Sequence, residues 1–366
     1  MGNYFKRFQQ KLKRNQRSIK LRLFKKAPFL KRLLAKSLHR FSINSNVISN
    51  PYPGQSFINS VDFHPEKNQF CVTYTHNSFL TIYQVDDIKG ISFVQEIFMD
   101  SCPQHAVYSR DGRNLVVVNW VDETLAVYQQ EESGLFKEVP IALTRFPKSL
   151  YNFKPHGITF SPEGSILAVA MGASKVLNKG IALFKKNADF SFTLVDLYQD
   201  DRLEAGVPKG VAFTPRGDSL VVTLAESDSV AVYDIDLGKG KVYPQVRQVL
   251  TGLFRPEDIK FSPNGDLCAI TNSSTDDVAF LAFDKETRSF ENHPHSILGS
   301  PIAEFNFPHG LAFSSDERYL AVTQFGAVDL DSNGELRAWA KKRGDLVSLY
   351  LKQGNTYTAA SFPQRG

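Results

Sequence analysis

From residue 57 onward the chain repeats a unit of about fifty residues six times. Each copy has a strand that ends in an aromatic residue, a tight turn and an apolar run. The aromatic anchors recur 45 to 53 residues apart, at Phe63, Tyr108, Phe160, Phe213, Phe261 and Phe313. Small antiparallel sheets of this length cannot be buried alone, but stacked radially they share a core and expose only short edges. The repeat therefore predicts an all-β, six-bladed β-propeller.

The turns and strands of the unit have a local physical basis. Three copies carry a turn sequence in which proline fixes φ at the first corner and glycine adopts a positive φ at the last position. These are SPEG at 161–164, TPRG at 214–217 and SPNG at 262–265. The runs that follow, such as 166–170 and 220–223, are continuously apolar, which is typical of strands buried on both faces. Third strands follow, with ELRAWA at 335–340 in the last copy and LVSLYL at 346–351 as its fourth strand.

The number of blades has one alternative. A degenerate seventh blade could be built from residues 43–57 together with the C-terminus, although the spacing favours six. In either case the ring must close by adding one chain end to the blade begun by the other. Residues 43–57 or residues 356–364 are the candidates for this closing segment.

The charge is divided unequally along the chain. Residues 1–50 hold fourteen Lys or Arg and no Asp or Glu, whereas the rest holds 29 basic and 38 acidic residues. We therefore divide the chain into a basic tail, residues 1–50, and a propeller, residues 51–366. Nucleic acid is not expected as a partner, because the propeller has a net negative charge and the sequence contains no known nucleic-acid recognition module.

Part of the tail has the pattern of an amphipathic helix. After Pro28, apolar side chains recur every three or four residues, with Lys and Arg on the other face; the apolar positions are Leu30, Leu33, Leu34, Leu38 and Phe41. Such helices lie on anionic membrane surfaces, so residues 1–41 could hold the protein there. A disordered arm that contacts a partner, or an organelle transit peptide, remains open.

The number and spacing of the cysteines indicate the redox state of the compartment in which the protein folds. Cys71, Cys102 and Cys268 are odd in number and far apart, so a disulfide framework is not expected. A reducing compartment, the cytoplasm, fits best, with membrane association through the tail.

The repeats resemble those of a known group of propellers. Copies of PHGxxFSPxG followed by LAVA resemble bacterial propellers of the YVTN and lactonase-like type, and NHL-type propellers. The resemblance covers roughly residues 57–350. It implies a propeller fold and, as one activity, hydrolysis of a sugar lactone. Lactonase-like propellers usually have seven blades, and six-bladed gluconolactonase-like relatives carry a divalent metal at the channel mouth.

Register predicts a ring of polar residues at one mouth of the channel. The residues four before each anchor are all polar: Asn59, Gln104, His156, Lys209, Glu257 and His309. The next position adds His105 and Asp258, and the ends of the second strands add Asn119 and Asn272. These residues form the expected ligand-binding set, because equivalent positions of successive blades should converge.

The polar ring is compatible with catalysis, with metal binding or with neither. His156, Glu257, His309 and Lys209 are the candidate catalytic residues, since imidazole, carboxylate and amine can transfer protons once burial tunes them. Glu257, Asp258 and Asn272 offer the oxygen ligands that a divalent cation prefers. Propeller channels also hold water, so a polar ring without function, or one that binds a ligand without chemistry, stays open.

Two functions follow from these observations. The first is a scaffold that binds a small molecule or a protein, held at a membrane surface by its tail. The alternative is a lactonase-like hydrolase acting on a sugar lactone at the channel mouth. Whether the chain is an enzyme, and in what oligomeric state, is left open by the sequence.

Overall fold

The computed structural model describes most of the chain beyond the basic tail. The described residues are 43–44, 47–49, 58–75, 77–99, 101–150, 152–172, 178–299, 305–325, 328–330, 336–339, 346–354 and 356–360. The amphipathic helix expected at residues 28–41 lies outside them.

Six antiparallel sheets follow one another along the chain as blades 1 to 6, each numbered from its inner strand outward. Blade 1 is Ile58–Phe63, Gln69–Tyr74, Phe79–Asp86 and Gly90–Phe98; blade 2 is Pro103–Tyr108, Asn114–Asn119, Thr124–Gln129 and Ala142–Arg145; blade 3 is Pro155–Phe160, Ile166–Met171, Gly180–Lys186 and Phe192–Tyr198. Blade 4 is Pro208–Phe213, Ser219–Leu224, Ser229–Asp236 and Lys241–Leu250; blade 5 is Pro256–Phe261, Leu267–Asn272, Asp277–Asp284 and a split outer strand, Ser289–Phe290 with Ser296–Leu298. Blade 6 begins with Pro308–Phe313, Tyr319–Gln324 and Leu346–Gln353.

The inner strands form a closed ring. Each lies beside the inner strands of two neighbouring blades, and that of blade 6 lies beside that of blade 1. The predicted six-bladed propeller is therefore confirmed in the part of the chain that the structure describes.

The core is divided into six apolar clusters, one in each gap between adjacent blades. Successive residues of a second strand enter different gaps: Leu167 packs between blades 2 and 3, and Ala168 between blades 3 and 4. This is why the second strands read as unbroken apolar runs, as predicted for strands buried on both faces.

The predicted turns join the inner and second strands. In SPEG the amide of Gly164 donates to the carbonyl of Ser161 at 2.8 Å, and Gly164 has φ of 79°. The same bond recurs in TPRG and SPNG. Because a positive φ is costly for side chains with a Cβ, glycine suits this exit position.

The last blade differs from the sequence prediction. Its third strand is Leu346–Gln353, whereas Leu336–Trp339, within the segment expected to serve, pairs with Val328–Leu330 in a separate hairpin. The residues 347–350 are buried between blades. The sequence VSLY has no charged side chain and can be buried there. The segment ELRAWA would instead place the charges of Glu335 and Arg337 in an apolar gap.

Both chain ends close the ring. Val47–Ser49 pairs with residues 346–348 of the third strand of blade 6, and Thr356–Ala359 pairs with residues 350–353 of the same strand. Ile43–Asn44 pairs in turn with Val47–Ser49. The sheet of blade 6 thus includes residues before residue 51. The two segments were alternatives for ring closure, and the structure uses part of each.

The remaining described elements are short. They are the α-helix Asp201–Gly206 and the 3-10 helices Lys148–Leu150 and Ala225–Ser227. Within the described ranges, no helix combines the length and the hydropathy needed to span a bilayer. Cys71, Cys102 and Cys268 are free and buried.

Candidate functional site

Every inner strand carries the same irregularity where the polar ring was predicted. The pairing with the second strand shifts by one residue near the start of the strand, for example between Pro155 and Ile158 in blade 3 and between Pro308 and Leu311 in blade 6. The shift recurs in blades 1, 2, 4 and 5. Such bulges redirect side chains and are frequent beside active sites. Here they contain the predicted ring positions.

Three ring residues come together. One ligating atom each from His156, Glu257 and His309 lies within 4.8 Å of the others, and all three residues are buried. The imidazole centroids of His156 and His309 are 5.1 Å apart. Because blades 3 and 6 stand opposite each other in a ring of six, this contact crosses the centre of the channel. We call these three residues the channel cluster.

The orientation of His309 is fixed by its neighbours. Its Nδ1 lies 2.8 Å from the main-chain carbonyl oxygen of Asn59 in blade 1. A carbonyl only accepts, so Nδ1 carries the proton and a neutral ring presents the lone pair of Nε2. Nε2 is 3.6 Å from Oε2 of Glu257, and the ring stacks on Phe325 at 4.2 Å between centroids.

His156 occupies the equivalent position on the opposite side of the channel. Its ring lies near the main chain of Lys209 in the next blade. Burial, followed by the positive charge of Lys209, holds the pKa of His156 well below its usual value. For His309 burial also lowers the pKa, although Glu257 and the Asn59 carbonyl oppose it. Both imidazoles are therefore neutral near pH 7.

Glu257 is the charged member of the channel cluster. Its Oε1 accepts from Arg255 Nε and from Ser273 Oγ, both at 3.3 Å, which leaves Oε2 to face His309. Burial by itself would raise the pKa of Glu257, but Lys209, His309 and Arg255 together lower it. The carboxylate is accordingly ionised although its side chain is only 3% exposed.

Two cations adjoin the channel cluster. Arg255 contacts Glu257 and also Glu226, whose Oε1 is 3.3 Å from the guanidinium. Lys209 is partly exposed. Burial lowers the pKa of Lys209, with Glu257 acting in the opposite direction. The two basic side chains, and not the carboxylate, are the groups that can stabilise an anionic or polarised oxygen of a ligand.

The other predicted ring residues take structural contacts. Asn59 Nδ2 donates to Gln104 Oε1 at 3.1 Å and to Thr75 Oγ1, which joins blades 1 and 2. Asp258 accepts from the amides of Ile259 and Leu311. These contacts bind neighbouring blades together and are outside the channel cluster.

His105 and Asp258 face each other at a second position in the channel. His105 Nε2 lies 3.9 Å from Asp258 Oδ2, too far for a hydrogen bond, and neither ring nitrogen finds a hydrogen-bond partner among the described residues. Burial lowers the pKa of His105. A buried, neutral histidine with unbonded nitrogens is expected to be hydrated through the channel.

The asparagines at the ends of the second strands are engaged within their own blades. Asn119 Nδ2 donates to Thr124 Oγ1 at 3.0 Å. Asn272 donates to Asp277 at 2.7 Å and accepts from the amide of Phe254 at 3.2 Å. Of the three predicted metal ligands, Glu257 belongs to the channel cluster, whereas the polar groups of Asp258 and Asn272 are bonded elsewhere.

Apart from Thr223, which the sequence places at the same channel mouth, sequence reasoning missed several supporting residues. In four blades the fifth residue of the second strand is a threonine: Thr73, Thr223, Thr271 and Thr323. Its hydroxyl accepts a hydrogen bond from a main-chain amide of its own inner strand. The same hydroxyl donates to the main-chain carbonyl of the polar-ring residue in the next blade. We call this contact the threonine bridge. Aligning the six repeats would have revealed the threonines. Arg255, two residues before Glu257, and Ser273 carried no comparable signal.

The sequence matches the model of one known propeller family. The sequence model of the family described as "Lactonase, 7-bladed beta-propeller" matches residues 57–252, more than half of the chain. This chain belongs to that lactonase propeller family. The family description names seven blades, but the described residues of this lactonase propeller form six.

Solved structures agree on the architecture. The periplasmic gluconolactonase PpgL of Pseudomonas aeruginosa is 16% identical with a TM-score of 0.56, covering 82% of this chain and 88% of that one. A putative 6-phosphogluconolactonase of Bacteroides uniformis is 15% identical with a TM-score of 0.56, covering 79% and 87%. A luciferin-regenerating enzyme is 11% identical with a TM-score of 0.61, covering 88% and 100%. At these identities the likeness shows the fold alone. Among curated protein sequences, none matches this lactonase propeller significantly.

Proposed function

We propose that this lactonase propeller is a hydrolase that opens a sugar lactone or a similar cyclic ester at the mouth of its central channel. The observation that carries the proposal is the channel cluster itself. Two neutral imidazoles and an ionised carboxylate converge within 4.8 Å, and Lys209 and Arg255 adjoin the carboxylate. Water activation and carbonyl polarisation, the two requirements of ester hydrolysis, have suitable groups there.

The proposed reaction begins with a water molecule held by the channel cluster. His309 Nε2 accepts a proton as the water oxygen bonds to the lactone carbonyl carbon. The carboxylate of Glu257, 3.6 Å from Nε2, stabilises the imidazolium that forms. Because Asn59 holds the proton on Nδ1, the ring presents Nε2 in the form that accepts a proton.

The second half of the reaction breaks the ring ester bond. Lys209 and Arg255 stabilise the oxyanion of the tetrahedral intermediate. The bond between the carbonyl carbon and the ring oxygen then breaks, and the imidazolium returns its proton to the departing alkoxide. The product is an open hydroxy acid, which releases a proton to solvent at neutral pH. Atoms balance with one water consumed.

Acid release from a panel of lactones tests this function. We expect the full chain to hydrolyse at least one sugar lactone in a pH-stat assay, and His309→Gln and Glu257→Gln each to lower kcat/KM by about 10²- to 10⁴-fold. The matched control is His295→Gln, since His295 lies exposed in an outer segment of blade 5. Full activity in the double variant His156→Ala with Glu257→Ala would refute the site.

The scaffold function remains the other prediction. In that case the folded protein hydrolyses none of the panel, and the polar ring serves binding of a small molecule or a protein. Attachment of residues 1–41 to an anionic membrane surface also stays a prediction. Its support is the tail's fourteen basic residues without an acidic one.

A further inference from the structure

We propose that His156, Glu257 and His309 form the binding site of a single divalent transition-metal ion of the zinc type. This inference depends on the geometry of the channel cluster and not on the choice of lactone as substrate. Ion binding and lactone hydrolysis can therefore fail independently of each other.

The distances fit tetrahedral coordination. With ligand bonds of about 2.0–2.1 Å, two ligand atoms of a tetrahedral zinc site lie about 3.4 Å apart. His309 Nε2 and Glu257 Oε2 are 3.6 Å apart, and the complete set of three atoms falls within 4.8 Å. A small contraction would therefore bring all three atoms into contact with one ion.

The surrounding contacts orient the ligands. Metal-binding histidines usually donate the second ring N–H to a carbonyl or carboxylate, which fixes the tautomer. His309 meets this condition through the Asn59 carbonyl. For His156 the nearest such group is the main chain of Lys209 in the next blade. Glu257 is likewise held at its other oxygen by Arg255 and Ser273. His309 and Glu257 are thus oriented by hydrogen bonds that leave one atom of each free to face an ion.

The donor set favours one class of ion. Two imidazoles with one carboxylate suit zinc and its first-row neighbours, whereas calcium prefers six to eight oxygen ligands. Three protein ligands would leave a fourth position for water, as in catalytic rather than structural zinc sites. Such an ion lowers the pKa of bound water to about 7, and it would take over the task given above to His309.

Lys209 and Arg255 oppose a bound cation. Arg255 is already paired with both Glu226 and Glu257, which reduces its effect. Among the described residues no carboxylate lies within 4.0 Å of the Lys209 ammonium, so its positive charge is not paired at short range and opposes a cation at the channel cluster. Removing this charge should strengthen metal binding, a result that a site elsewhere on the protein would not give.

Equilibrium dialysis of the untagged full chain against Zn²⁺ tests the site. We expect one ion per chain, at least tenfold weaker binding in His309→Gln and in Glu257→Gln, and tighter binding in Lys209→Met. The double variant His293→Gln with His295→Gln is the matched control, because it removes the exposed pair of histidines and should bind as the parent does.

Two further measurements complete the test. Zn²⁺ should raise the Tm of the parent but not of His309→Gln, since an ion stabilises only the chain that binds it. Co²⁺ should give the intense visible bands of tetrahedral coordination, and these should disappear in Glu257→Gln. Absence of stoichiometric Zn²⁺ binding by the parent, or equal binding by both cluster variants, would overturn the proposal, whatever the outcome with lactones.

Discussion

Asp62 is a carboxyl group whose ionisation the fold opposes. It lies one residue before the anchor Phe63, and its Oδ2 accepts from the amide of Tyr108 in blade 2 at 2.8 Å. Burial raises its pKa to about 6, although Lys260 and the Tyr108 amide act in the opposite direction. The nearby charge of Asp258 adds to the increase. The folded protein therefore holds this proton more tightly than the unfolded chain does.

The replacement Asp62→Asn should stabilise the protein at neutral pH. Since the pKa rises from 3.8 to about 6 on folding, the parent loses stability as the pH rises through that window, by on the order of 2 kcal/mol for a partly exposed group. Asparagine retains an acceptor for the Tyr108 amide and does not titrate. The gain in Tm over the parent should therefore be larger at pH 7.5 than at pH 4.

The control for this prediction is Asp189→Asn. Hydrogen bonds from Ser191 lower the pKa of the exposed Asp189, so its replacement should give no gain at pH 7.5. A Tm difference between Asp62→Asn and the parent that is the same at both pH values would contradict the argument.

At the scale of the strand, the threonine bridge is the contact that repeats most regularly beside the site. Thr271 Oγ1 accepts from the amide of Asp258 at 2.9 Å and donates to the carbonyl of His309 in blade 6 at 2.7 Å. Each bridge joins the bulge of one blade to the ring residue of the next. The position of His309 thus depends on a side chain of a different blade.

Replacing Thr271 by valine should destabilise the propeller and disturb the site. The buried amide of Asp258 would lose its acceptor, at a cost of about 1–3 kcal/mol. Urea denaturation should give a lower midpoint for Thr271→Val and a nearly unchanged midpoint for Thr271→Ser, which keeps the hydroxyl. Equal effects of the two replacements would mean that the methyl group, and not the bridge, matters.

Much of this strand-level organisation could be predicted because the repeat carries it. Turn residues and unbroken apolar runs identify the inner and second strands, and their common phase indicated that His156, Glu257 and His309 converge. The bulge could not be predicted, since a shift of one residue leaves no mark in a hydrophobic pattern. Nor could the hydrogen bonds that engage Asn119 and Asn272, because partner choice depends on side-chain directions that spacing does not define. In blade 6, two segments with aromatic residues competed for one position, and only packing between blades distinguishes them.

At the scale of the whole molecule, the closure of the ring determines its integrity. Ile48, in the strand added from the N-terminal side, is fully buried in the cluster that contains Val347 and Leu349 of blade 6. Thr356–Ala359 covers the remainder of the same third strand. Blade 6 is thus completed by residues from both ends of the described chain.

Removing residues 1–50 should destabilise the propeller far more than removing residues 1–42. The longer deletion eliminates Val47–Ser49 and the burial of Ile48, and truncating a buried isoleucine side chain alone costs about 2–5 kcal/mol. Thermal unfolding of the two truncated proteins measures the difference, with Ile48→Ala in the full chain as the point variant. Equal Tm values for the two truncations would show that Thr356–Ala359 suffices for closure.

The shared third strand of blade 6 also constrains the order of events during synthesis. Val47 meets Ser348, so a segment made early must wait for one made about 300 residues later. At about 5–20 residues per second the ribosome needs roughly 15–60 s to deliver it. Throughout that interval the first blade has a neighbour on one side only, and its open apolar flank is the surface that a chaperone would be expected to protect.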